Sequence, residues 1–371
     1  MIHILIGTKA QYVKTAPVLH ELDRRHVPYR LIDSGQHGAL APQFRAMLSV
    51  RDPDCHLRQS TKDITSVVSL AAWLLKYLFL GVFFPSRIFK HVFDAQPGIC
   101  VIHGDTPSTL LGLFLAKRCG IPVAHLEAGL RSFDILRPFP EELIRIITMR
   151  TANLLFAPSA EARENLAAMK VRGRICAVSA NTNIEAIRAA MSGSSSVEPP
   201  RSPPRVVVSI HRAETILRKS RLQMIVDVVC RISRKHPVLF CVHPPTRTQL
   251  ARFKLDVVLR EAAVPCTDLL PYPAFIGELA RALFVVSDGG SVQEECSYLG
   301  VPCLIMRDKT ERSDGLGKNA VLAKSDAAIV NDFLDNYESL RKPSRVAGSD
   351  RPSAEIVDVL LDLRPAPGNA D

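Results

Sequence analysis

Short apolar runs alternate with longer amphipathic stretches through the first half of the chain. IHILIG (2–7), YRLID (29–33), ICVIH (99–103), PVAHLE (122–127), NLLFAP (153–158) and RICAVS (174–179) have strand length, and the stretches between them read as helices. A second alternating half follows, with RVVVSIH (205–211), PVLFCVH (237–243), DLLPY (268–272), ALFVVSDGG (282–290), PCLIMR (302–307) and a weaker AAIV (327–330). Strands regularly separated by helices predict parallel sheets covered on both faces. The pattern therefore predicts an α/β chain of two doubly wound domains facing a cleft, a first over 1–190 and a second over 206–352. The Ser- and Pro-rich stretch 191–205 reads as a linker and Ser353–Leu363 as a closing helix before a tail to 371.

The strand ends carry the chemistry. One strand closes on His103-Gly104-Asp105 and another on His125-Leu126-Glu127. In an open parallel sheet ligands bind outside the carboxyl ends of the strands, so Asp105 and Glu127 are expected to face one crevice. Glu141 and Glu142 follow Pro138-Phe139-Pro140, a helix-start signal. Any one of these carboxylates could simply cap a helix. Three acidic positions with two histidines and Arg131 fit general acid/base work better. In the second half, strand ends place His211-Arg212 and His243, and Ser287-Asp288-Gly289-Gly290-Ser291 opens a helix whose first turns hold Glu294 and Glu295. Glycines at such an entry expose amides to a phosphate, and a carboxylate one turn in can accept two ribose hydroxyls. Gly7 opens a similar turn before Lys9 and Lys14.

Composition narrows the partners less than the motifs do. The 371 residues allow two full cores, and 47% hydrophobic with 23% charged is ordinary for a globular protein. Nine cysteines, an odd number without a CxxC pair, argue against a disulfide framework and a cysteine zinc site, and with no secretory signature the expected location is the cytoplasm. The net charge of +10 favours an acidic partner. No dense basic stripe or aromatic-basic platform points to nucleic acid. Residues 64–89, ITSVVSLAAWLLKYLFLGVFFPSRIF, are strongly apolar. Trp73, Leu74, Tyr77, Leu78 and Phe84 offer more surface than one helix buries beneath itself. The expected outcome is a subunit interface and a homodimer, with peripheral membrane contact the lesser alternative.

HGDT, H-x-EAGLR, P-x-PEE-x-x-R, SDGGSVQEE and MRDKTER together resemble the UDP-N-acetylglucosamine 2-epimerase family, from Gly7 to about the closing helix. The resemblance implies two Rossmann-like domains of the glycosyltransferase-B type and an exchange of UDP-N-acetylglucosamine with its 2-epimer by elimination and re-addition of UDP. No redox cofactor or metal is implied. It implies catalytic roles for Asp105, Glu127, Glu141 and His211. It places UDP or substrate against Lys9, Lys14, Arg131, Arg212, His243, Gly290, Ser291, Glu295, Arg307 and Arg312. Lys9-Ala10-Gln11 stands where the family usually has Arg-Pro-Glu, and Gly289 where it more often has Ser. Gln36 and His37 match the signature of a regulatory substrate site, with Ala39 where a Gln is expected. A hydrolysing epimerase releasing the free sugar and UDP remains an alternative, as does a glycosyltransferase of the same fold.

Overall fold

The computed structural model describes residues 1–36, 41–59, 67–135, 139–193 and 203–362. Two compact units emerge, Met1–Ala186 with the closing stretch from Asp350, and Ile187–Ser349. The first unit holds β1 (Ile2–Ile6), β2 (Tyr29–Asp33), β3 (Cys55–His56), β4 (Ile99–His103), β5 (Val123–Leu126), β6 (Leu154–Ala157) and β7 (Arg174–Ala177), all parallel in the order β3-β2-β1-β4-β5-β6-β7. Its helices are α1 (Lys9–Arg24), α2 (Ala41–Met47), α3 (Val67–Phe83), α4 (Pro85–Val92), α5 (Pro107–Arg118), α6 (Glu141–Thr151) and α7 (Ala160–Ala168), and α8 (Asn183–Gly193) runs across the division into the second. The second unit holds β8 (Val206–Ser209), β9 (Val238–Cys241), β10 (Cys266–Thr267), β11 (Val285–Ser287), β12 (Cys303–Ile305) and β13 (Ala320–Leu322) in the parallel order β10-β9-β8-β11-β12-β13. Around it lie α9 (Ala213–Ile216), α10 (Lys219–Ser233), α11 (Pro244–Arg252), α12 (Leu255–Glu261), α13 (Tyr272–Arg281), α14 (Gly290–Leu299) and α15 (Ala327–Asn336). The last helix, α16 (Pro352–Asp362), belongs to the first unit.

Both sheets reverse their winding at a central pair, β1 beside β4 in one unit and β8 beside β11 in the other. These switch points are where a doubly wound sheet leaves a crevice. Burial explains why the strands read as unbroken apolar runs: β1, β5, β6, β8 and β9 are buried at every position, which a sheet covered on both faces requires. One face of the first sheet packs on Tyr12, Leu19 and Leu22 of α1 with Ile356, Val357 and Leu360 of α16. The other packs on Trp73, Tyr77, Ile88 and Val92 of α3 and α4 with Leu111 and Leu115 of α5.

Three expectations change. DLLPY is not a strand: β10 is Cys266–Thr267, and Tyr272 starts α13. AAIV lies in α15, because Asp326 caps it (Ala328 N donates to Asp326 Oδ1, 2.7 Å) and Val330 and Phe333 bury one helical face. The thirteenth strand is instead AVL at 320–322, paired with β12. The expected linker 191–205 begins inside α8, and residues 194–202 lie outside the described residues.

The apolar segment forms α3 and α4, whose axes turn through 112°. Among the described residues no single helix is long and apolar enough to cross a membrane. Of the side chains expected to pair two copies, Trp73 and Tyr77 are buried in their own unit, Leu74 is half-buried, and Leu78 and Phe84 are exposed.

Candidate functional site

In the first unit the turns after β1, β4, β5 and β7 meet at one end of the sheet. Gly7 passes so close to Ser34 that a Cβ there would lie 1.7 Å from its Oγ, which excludes any side chain. Thr8 then caps α1 in a reciprocal box with Gln11. Gln11 does more than cap. Its Oε1 accepts from Gly7 N (2.9 Å) and Thr8 N (3.2 Å), while Nε2 reaches the His103 carbonyl at 2.8 Å and the Thr106 and Thr109 hydroxyls at 3.0 Å. The first turn is thereby tied to the one carrying Asp105. Lys9 is half-buried, with Nζ 5.2 Å from the centre of the Phe44 ring.

Glu127 sits at φ +62°, a left-handed conformation costly for a residue with a side chain. Its carboxylate is held there by Lys14 Nζ at 2.7 Å and Asn181 Nδ2 at 2.9 Å, both on Oε1, with His103 Nε2 3.6 Å from Oε2. Lys14 is itself buried, at 3% exposure. His125 lies beneath, its Nε2–H donating to the Gly104 carbonyl (2.8 Å). Burial lowers its pKa to about 4, more than that bond and the nearby Asp105 and Glu127 raise it, so the ring is neutral at physiological pH.

Asp105 is reached through a chain of alternating charges. Arg131 Nε donates to Glu142 Oε1 (2.5 Å), Arg145 Nη1 to Glu142 Oε2 (3.2 Å), and Arg145 Nη2 to Asp105 Oδ2. Glu142 is fully buried and also accepts from Ser132 N at 3.0 Å. Burial would raise its carboxyl, but Arg131, the Ser132 amide and Arg145 outweigh that and hold it below its usual value. Glu141, the neighbour given the catalytic role, begins α6 and is half-buried. Gln36 accepts from Ser108 Oγ at 2.6 Å, and His37 lies outside the described residues.

In the second unit Asp288 organises the switch point. Fully buried, it accepts from the backbone amides of His211 (2.9 Å) and Arg212 (3.0 Å). Burial raises its pKa, with those amides opposing. The His211 ring stacks on His243, centroids 4.4 Å apart at 24°. Gly289 makes room for it, since a Cβ there would lie 2.6 Å from His211 Cε1. α14 then starts at Gly290 with no side-chain cap, Ser291 half-buried and Glu295 buried one turn in. Tyr272 lies beside Glu295, its hydroxyl pushed well above its usual range by burial and by Glu295 and Glu294. Arg307 and Arg312 do not project into solvent. Arg307 joins Glu214 (3.0 Å) and Glu311 (2.9 Å), Arg212 joins Glu311 (3.1 Å), and Arg312 joins Glu294 (3.0 Å). Arg307 thereby ties the 307–312 loop to α9 and Arg312 ties it to α14, whose Gln293 Nε2 also donates to the Arg312 carbonyl at 3.0 Å.

Sequence reasoning missed Asn181; Arg145, Asp288 and Glu311 stood inside the recognised motifs, without the partners they have here. Asn181 had the same signal as Glu127, following a parallel strand, β7. Arg145 follows Glu142 by one helical turn. For Glu311, Arg307 lies four residues before it, but Arg212 lies 99 residues away and leaves no local signal. Among the described residues no group of three or more His, Cys, Asp or Glu side chains could hold a metal ion.

A family model described as UDP-N-acetylglucosamine 2-epimerase matches residues 20–361. Relatives of that name include a Methanocaldococcus jannaschii protein, 27% identical over 96% of this chain and 98% of its own length. Another, from Bacillus subtilis, is 28% identical over 96% of this chain and 94% of its own. A crystal structure of the Methanocaldococcus jannaschii UDP-GlcNAc 2-epimerase in complex with UDP-GlcNAc and UDP matches with a TM-score of 0.82 at 26% identity, over 97% of this chain and 99% of that one. With the motifs, both parallel sheets and nearly the whole length in agreement, the chain belongs to the UDP-N-acetylglucosamine 2-epimerase family.

Proposed function

We propose that this protein is a UDP-N-acetylglucosamine 2-epimerase that interconverts UDP-GlcNAc and UDP-ManNAc by eliminating UDP from C1 and a proton from C2 to give a 2-acetamidoglucal, then returning UDP to C1 and a proton to the opposite face of C2. The observation that carries the reading is the gathering of Asp105 and Glu127 around His125 at the first switch point, each carboxylate already against a cation. A proton on C2 beside an acetamido group is scarcely acidic. C1–O cleavage must run ahead of its removal, so the site needs carboxylates to stabilise positive charge as well as a base. Asp105, Glu127 and Glu141 supply that set. His211, backed by His243, handles the leaving group's proton near neutral pH. The uncapped start of α14 at Gly290 and Ser291 offers amides to the diphosphate, and Glu295 takes the ribose. Lys9, Lys14 and Arg212 add positive charge, Arg131 positions Glu142, and Arg307 and Arg312 hold the nucleotide loop in place.

Incubation with UDP-GlcNAc in heavy water, followed by NMR, tests this. The expected product is UDP-ManNAc with deuterium at C2. Free N-acetylmannosamine with UDP would establish the hydrolysing alternative, and an unchanged sugar would remove the epimerase reading. Asp105→Asn and Glu127→Gln should each lower turnover by about 10²–10⁴-fold, the usual contribution of general acid/base groups.

A further inference from the structure

Glu127 keeps a left-handed backbone, φ +62°, which a residue with a side chain holds only where its surroundings over-determine it. Two segments remote in sequence supply that hold. Lys14 Nζ reaches Glu127 Oε1 at 2.7 Å from the second turn of α1. Asn181 Nδ2 donates to the same oxygen at 2.9 Å from the turn between β7 and α8. The Lys14 and Asn181 side chains are buried, and the Glu127 side chain is only 7% exposed.

The 181–183 turn is itself pinned. Thr182 Oγ1 donates to the Lys14 carbonyl at 2.5 Å, which fixes the turn to α1. Asn183 N donates to Asn181 Oδ1 at 3.3 Å, so the oxygen side of the amide is committed and Nδ2 faces Glu127.

This arrangement distinguishes the two oxygens of Glu127. Lys14 and Asn181 both act on Oε1. Oε2 turns toward the Gly104 turn, where His103 Nε2 lies 3.6 Å away and a Cβ on Gly104 would lie 3.8 Å away. Asp105 is the next residue of that turn. The charged and titratable neighbours of Glu127 among the described residues include Lys14 on α1, His103 closing β4, Asp105 after it and His125 on β5. An amide favours the ionised carboxylate by hydrogen bonding without adding a second cation beside Lys14.

We propose that Asn181 is a positioning residue for the reaction: with Lys14 it locks Oε1 of Glu127, so that Oε2 is the oxygen offered to the substrate. The inference rests on the epimerase reading and assigns a working atom within it. A residue that only shaped the turn would need the Asn181 Oδ1 alone, since that is the atom Asn183 uses. The second contact, from Nδ2 to a carboxylate of the site, sets Asn181 apart.

Asn181→Ser separates the two roles, because a serine hydroxyl can still accept from Asn183 N but is too short to reach Glu127. In that variant kcat should fall about 10–100-fold, the loss of one hydrogen bond to a charged group, with KM for UDP-GlcNAc within about twofold of wild type. Asn181→Asp also keeps the acceptor of the turn, and it sets a like charge against Glu127. The working carboxylate is ionised, so activity is lost as pH falls through its pKa. The acid limb of kcat should therefore move to higher pH, by about one unit or more. Carbon NMR of protein labelled at the glutamate carboxyls, assigned with Glu127→Gln, should show Glu127 titrating at higher pH in both variants, further in Asn181→Asp. Wild-type kcat in Asn181→Ser, or an unmoved Glu127 titration in either variant, would reduce Asn181 to a turn former and overturn the proposal. If the wild-type protein leaves UDP-GlcNAc unchanged, the epimerase reading falls by itself and the titration alone decides whether Asn181 holds Glu127.

Discussion

Glu141 and Glu142 are neighbours with opposite surroundings. Glu142 is fully buried among Arg131, Arg145 and the Ser132 amide, whereas Glu141 begins the helix partly open to solvent. Glu142→Gln would leave two guanidinium groups without their shared carboxylate. Breaking such a buried pair costs about 3–5 kcal/mol, and chemical denaturation should register it. Glu141→Gln should leave stability within about 0.5 kcal/mol while lowering turnover by about 10²–10⁴-fold. The reverse pattern would exchange the two roles. Gln11 shows the same dependence on surroundings. Its Nε2 donates to the His103 carbonyl, which a carboxylate could not do, so the amide in place of the family's usual Glu has a use visible only once those groups are adjacent.

Among the elements, strands were the most legible, because a fully buried parallel strand must be apolar at consecutive positions. Helix α15 was misread because a run of four apolar residues carries no period, and the cap at Asp326 decides it. At the β11–α14 junction, Gly289 leaves space that the His211 ring fills above His243. The clash a methyl would create falls on the tip of a side chain, which can swing away at little cost. Gly289→Ala should therefore change stability by less than about 1 kcal/mol yet reduce turnover, because His211 leaves its stack. Turnover equal to wild type, with the thermal midpoint also unchanged, would mean that the stacked ring has no part in the reaction.

At the scale of the whole molecule, the chain's last helix closes the unit that its first strand opens. α16 inserts Ile356, Val357 and Leu360 into the first core, pairs Asp358 with Arg25, and is anchored where Glu185 accepts from Ser353 N at 2.9 Å. Burying three such side chains stabilises by about 5–9 kcal/mol, comparable with the net stability of a domain. Deleting residues from Asp350 onward should make the first unit sensitive to limited proteolysis and abolish turnover, while UDP affinity measured by calorimetry changes little. A truncated chain with an intact first unit would show that α16 is dispensable. What the sequence determined by itself follows from order along the chain. Runs of strand length separated by helices place Asp105, Glu127, His211 and Asp288 just past carboxyl ends of parallel strands, where any doubly wound sheet puts its site. What the tertiary structure decided are relations between distant residues: Asn181 against Glu127, Glu311 against Arg212, α16 against α1, and which side of the uniformly apolar α3 stays bare. No local period encodes these, because each is set by packing between segments that meet only when the sheets have formed.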